Sequence, residues 1–233
     1  MADSQNGRKL HQLAEIAREK GNFLQALEYT DRATLAYQKD KDYPGLAEVQ
    51  SSRQGTFKHL YRSTGDKYFL ILEKHSAEAA VEIAEKSGNK EALAIPYHNL
   101  GKYYLEANIY KEAVEYFRKA VRCFTLYPPK NHNRPAITAD IKGHLYAAEY
   151  LAGDKSALKR AKKALEDLKN AQEDSYNKNV WLTGAHLRIA EMLIGDNPKL
   201  AKEHIGEAKK IIDSDKRLIL RRRQLKKLIQ NLS

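Results

Sequence analysis

Apolar residues recur along this chain at three- and four-residue steps, in segments of roughly 12–20 residues rich in Ala, Leu, Glu and Lys. Polar, turn-forming pieces separate these segments: EKGN (19–22), KDKDYPG (39–45), STGD (63–66), KSGNK (86–90) and EANIY (106–110). The series continues with YPPKNHNRP (127–135), AGDKS (152–156), NAQEDSYNKN (170–179) and IGDNP (194–198). No convincing run of alternating β-branched residues interrupts the pattern. The chain is read as all-α.

One stretch carries more than amphipathic periodicity. In YHNLGKYYLEANIYKEAVEYFRKA (97–120), Tyr97, Leu100, Gly101 and Tyr104 follow the spacing aromatic-x2-Leu-Gly-x2-Tyr. Tyr110, Ala113, Phe117 and Ala120 follow the turn. Gly101, Ala113 and Ala120 would let two helices approach closely, and the rings would fill the remaining space. The stretch resembles a tetratricopeptide repeat, although Thr125 stands near the place of the usual terminal proline.

Neighbouring segments repeat the theme. Leu10, Leu13, Ala14, Ala17, Gly21, Phe23, Ala26 and Ala33 form a first unit. Ile141, Leu145, Ala148, Ala157, Ala161 and Ala164 form a fourth, and Ala185, Ile189, Met192, Ala201, Ile205 and Ala208 a fifth. The second unit fits least well, with an extra turn expected in each helix. Equivalent points recur roughly every 38–48 residues, above the usual period of about 34. The resemblance implies a right-handed α–α superhelix, a tetratricopeptide-like solenoid forming a single domain over 1–233. Its repeats are placed at 8–40, 45–87, 92–126, 135–170 and 179–213. A terminal helix over 216–232 would cover the last repeat with Leu218, Leu225, Leu228, Ile229 and Leu232.

Charge changes the picture only at one end. The net charge is +11, yet residues 216–233 hold seven Lys/Arg and no Asp or Glu. The other 215 residues hold 34 basic and 30 acidic groups. No apolar run approaches the roughly 20 residues of a membrane span. MADSQNGRKLHQL lacks a secretory apolar segment, and Cys123 is the single cysteine, so a reduced, cytoplasmic protein is expected.

Reactive chemistry is sparse. There is no phosphate-binding glycine loop, and GDKS (153–156) lacks the upstream glycine of a Walker motif. KNHNRP offers too few ligands for a metal, and NLS (231–233) is a chance glycosylation match. Cys123 is read as a packing residue. No catalytic residue, cofactor or metal is expected, and the chain is read as a non-enzyme.

Each expected first helix does contain a histidine: His11, His59, His98, His144 and His186. In tetratricopeptide arrays the first helices line the concave surface, so these rings are candidate peptide-binding residues that charge below about pH 6.5. Glu15, Asn99, Lys102 and Tyr103 join them. Asn99 and Lys102, with Arg8 and Arg53, also suggest part of a clamp for a partner's terminal carboxylates, although His11 and Glu15 break its pattern. The leading expectation is a module holding a peptide or protein segment in the groove. The alternative is binding of nucleic acid or an anionic surface through Arg221, Arg222, Arg223, Lys226 and Lys227. A further alternative is a peptide-sensing regulator that acts through a partner protein. Self-association through the ends of the array is also allowed.

Overall fold

A computed structural model describes residues 2–130 and 132–230, with side chains from residue 6 onward. These residues form eleven α-helices and no strand. The chain divides into two compact units, Met1–Lys130 and Asn131–Ser233.

The first unit holds three antiparallel pairs: α1 (Ala2–Glu19) with α2 (Phe23–Lys39), α3 (Tyr43–Thr64) with α4 (Tyr68–Lys86), and α5 (Ala94–Glu106) with α6 (Tyr110–Leu126). A short 3-10 turn at Lys90–Ala92 precedes α5. The second unit pairs α7 (Pro135–Leu151) with α8 (Ala157–Asn170), and α9 (Ser175–Leu193) with α10 (Pro198–Ser214). The helix α11 (Ile219–Gln230) packs on α9 and α10.

Local chemistry sets the boundaries. Asp42 accepts the Gly45 N–H at 2.9 Å, Asp174 the Asn177 N–H at 3.0 Å and Asn197 the Leu200 N–H at 3.1 Å. Each satisfies a first-turn amide that has no partner within its own helix. Gly65 ends α3 in the left-handed region at φ 75°, where a side chain is disfavoured. The α5–α6 turn uses Asn108 in the same region, at φ 61°.

Small residues make the pair interfaces. Ala26, Ala33, Ala77, Ala80, Ala113, Ala120, Ala148, Ala157, Ala201 and Ala208 are all fully buried. A Cβ added at Gly101 would stand 2.8 Å from the Phe117 ring, so α5 and α6 touch through a glycine face and a phenyl face. The second pair is extended, with 22 residues in α3 against 13 in α5.

Two boundaries differ from the sequence reading. The first helix begins at Ala2, ahead of the expected start near residue 8. The terminal helix begins at Ile219, not at 216, because Asp215 accepts the Arg217 N–H at 3.1 Å and turns the chain first. Leu218, Leu225 and Leu228 are buried as the covering stripe requires, whereas Ile229 is exposed. Leu232 and the NLS triplet lie outside the described residues. Among the described residues, no helix is long and apolar enough to cross a membrane.

Candidate functional site

Within the first unit, α1 packs on α3 and α3 on α5, so successive first helices touch directly. Successive second helices show no comparable packing. The first helices therefore lie on the closely spaced, inner side of that unit. In the second unit α7 likewise meets α9, and α9 meets α11.

Arginines tie these neighbours together. Arg18 of α1 donates to the Ser52 hydroxyl at 2.9 Å and its carbonyl at 3.3 Å. Arg62 of α3 grips Glu106 of α5 with two nitrogens, its Nε lying 2.7 Å from Oε1. In the second unit Arg188 of α9 donates to Asp140 of α7 at 2.9 Å, and Arg221 of α11 donates to the Val180 carbonyl of α9 at 3.0 Å. A planar guanidinium can serve two acceptors at once while its stem packs against the helix.

The candidate peptide-binding residues fall into two groups. Asn99, Lys102 and Glu106 recur at three- and four-residue steps, so they share a stripe of α5 that borders α3 through the Arg62 bridge. Asn99 is buried and Lys102 half-buried. On α1, exposed Glu15 lies 3.5 Å from Arg18, and His11 is half-buried. Tyr103 packs edge-on against Tyr104, with ring centroids 5.3 Å apart, and Lys74 and Glu78 of α4 are nearby. Arg53 of the clamp reading pairs with Asp31 of α2 and lies over the Phe57 ring, while Arg8 is exposed.

Three of the five histidines meet a second helix, His98 and His186 that of their own pair and His59 that of the preceding pair. His59 stacks on Phe23 of α2 with centroids 6.1 Å apart, and buried His98 lies 5.6 Å from Phe117 of α6. His186 is buried with its Nδ1 3.0 Å from Nδ1 of His204 on α10. Burial, then the neighbouring His204, lowers the His186 pKa to about 4, and burial lowers that of His204 as well. Half-buried His144 turns Nδ1 toward the Asp140 carbonyl at 3.0 Å, one turn back on α7.

Two groups, one buried and one half-buried, escaped the sequence reading. Glu73 of α4 is completely buried, accepts from the Gln54 amide at 2.6 Å, and is pushed up to about 7 by burial. His204 was missed because it sits on a second helix. The step from His204 to Glu207 on one helix face was its available signal. Burial raises the Cys123 thiol, opposite to what a nucleophile requires.

The basic set on α11 divides as well. Arg221 faces α9 and also bonds Gln224 at 2.8 Å. Arg222 donates to the Ile212 carbonyl at 2.9 Å, so it caps the end of α10. Arg223, Lys226 and Lys227 are exposed.

Residues 75–125, which run from α4 through α6, match the family model described as Tetratricopeptide repeat. No curated protein matches the chain in sequence. Among solved structures, BtubC (BKLC) from P. vanneervenii is similar at TM-score 0.63 and 18% identity, over 91% of this chain and 82% of that one. A putative kinesin light chain with nearly identical TPR-like repeats from Podosopora anserina is similar at TM-score 0.57 and 16% identity, over 93% and 99%. A Rap protein complexed with Competence and Sporulation Factor is similar at TM-score 0.61 and 15% identity, over 98% of this chain and 65% of that one. At such identities the likeness is one of fold. Residues 75–125 therefore carry a tetratricopeptide repeat motif, and the helix pairs of the chain share the fold of these tetratricopeptide-like structures.

Proposed function

We propose that this protein is a non-enzymatic interaction module that holds a segment of another protein against the inner face of its first helices. The observation that carries this reading is the bridged polar face of the first unit, where Arg18 joins α1 to α3 and Arg62 joins α3 to α5. Bridges of this kind hold polar side chains in place before a partner arrives, which lowers the ordering cost of binding. Asn99 and Lys102 share the α5 stripe that ends at Glu106 and would supply amide and ammonium contacts to a peptide backbone or carboxylate. The similarly folded Rap protein, seen complexed with Competence and Sporulation Factor, supports a binding role for this architecture.

The test is selection of ligands from a random peptide display library on the full chain. Lys102→Glu should weaken the selected peptides by about tenfold or more, a loss of roughly 1.4 kcal/mol, at unchanged helicity. Replacing Arg223, Lys226 and Lys227 by Gln should leave binding intact. Peptides indifferent to Lys102→Glu, or dependent on the three α11 cations, would remove the proposal.

A further inference from the structure

The second unit contains a pair of imidazoles with no place in the binding reading. His186 of α9 and His204 of α10 hold their Nδ1 atoms 3.0 Å apart, with ring centroids 5.2 Å apart and planes at 45°. His186 is 4% exposed, whereas His204 is half-buried, so one ring is sealed and the other borders solvent. Both rings sit on one antiparallel helix pair whose small residues, Ala185, Ala201 and Ala208, are buried. Such a base fixes the separation of the two nitrogens.

We propose that His186 and His204 form a binding site for a borderline divalent transition-metal ion of the zinc, nickel or copper class. Two imidazole nitrogens at about 2.0–2.1 Å from one ion, in square or tetrahedral geometry, lie roughly 2.9–3.4 Å apart. The observed 3.0 Å falls within that bite. Burial favours the neutral form of both rings, which is the form that ligates. In the metal-free pair one Nδ1–H donates to the other ring's bare Nδ1. On binding, the donating ring moves its proton from Nδ1 to Nε2, leaving both Nδ1 lone pairs to the metal with no net release of protons.

Glu207 does not group with the two ring nitrogens in this structure, and it would supply a third ligand only by turning away from Lys210. It lies three residues beyond His204 on the same helix face, and its charge is felt by both rings. At present it accepts from Lys210 at 2.6 Å, an exposed pair that is easily exchanged. Water would complete the shell, as in three-ligand zinc sites. The charge of Glu203 also acts on His204. The charge of Lys169 acts on both rings and that of Lys162 on His204, and these charges oppose a dication. That opposition gives the site a diagnostic sign.

The experiment is calorimetric titration of the full chain with Zn2+ alone, paired with long-range 1H–15N spectra of its histidines. The wild type should bind one equivalent, with both rings then in the Nε2–H tautomer, so that the ring donating in the metal-free pair changes tautomer. His204→Ala, at unchanged circular dichroism, should weaken binding by at least the roughly 10- to 100-fold that loss of even an outer-shell partner costs. Glu207→Gln should weaken it less, and Lys169→Gln should tighten it. Equal affinity in wild type and folded His204→Ala would overturn the site. If that variant does not fold, tautomers of His186 and His204 unchanged by one equivalent of Zn2+ in the wild type would overturn it instead.

Discussion

Arg188 lays its guanidinium across Gly143, with Nη1 2.9 Å from where a Cβ on that glycine would stand. From there its Nη2 donates to Asp140, one turn away on the same helix, at 2.9 Å. Comparable crossings occur at Gly184, under Arg221 at 2.8 Å, and at Gly55, under Arg18 at 3.5 Å. A mid-helix glycine weakens a helix by about 1 kcal/mol relative to alanine. Here the missing side chain makes room for an arginine from an adjoining helix.

Arg188→Met should destabilise the second unit by on the order of 3 kcal/mol, because Asp140 is left as a carboxylate at 15% exposure without that guanidinium. Adding Asp140→Asn should recover part of the loss. Urea melts of the single and double variants measure both effects, and additive losses would mean that the two side chains are not coupled.

Gly101→Leu tests the contact between α5 and α6. The Phe117 ring is fully buried and stands 2.8 Å from the position of the new Cβ, so neither side can yield cheaply. The variant should lose on the order of 1–3 kcal/mol by overpacking. Thermal melts followed by circular dichroism give the answer. A wild-type melting temperature would mean that the ring has room to move.

Glu73 makes the first unit's stability depend on pH. Its folded-state pKa is raised to about 7 from an ordinary 4.5, chiefly by burial. The folded chain therefore holds this proton more tightly than the unfolded chain does. The contribution is fully present below about pH 4.5, declines as pH rises toward 7, and is lost above it. Glu73→Gln should have little effect near pH 4 and should stabilise the protein by on the order of 1–3 kcal/mol at pH 8. A pH series of denaturant midpoints measures this. A difference independent of pH would show that Glu73 keeps its charge when buried.

The terminal helix separates covering from charge. Leu225→Ala should cost about 2–4 kcal/mol, since Leu225 is 6% exposed within the core of the second unit. Replacing Arg223, Lys226 and Lys227 by Gln should change stability by less than about 0.5 kcal/mol, because their side chains are exposed. Chemical denaturation of both variants compares the two roles. A large loss in the charge variant would give the cations a structural part.

By itself the sequence determined the helices and their pairing. An apolar period near 3.6, capping side chains such as Asp42 and Asn197, and small residues such as Ala113 and Gly101 all act over a few residues. That is why the stretch around Tyr97–Ala120 could be read as a repeat from its spacing. Tertiary structure alone decided what each first-helix side chain meets. Successive residues on a helix turn by about 100°, so a shift of one position moves a ring from the inner face to the neighbouring helix. Hence His59, His98 and His186 found Phe23, Phe117 and His204, and the partner of Arg188 lies 48 residues away at Asp140. Local spacing could not supply those partners, because they follow from how the helix pairs stack.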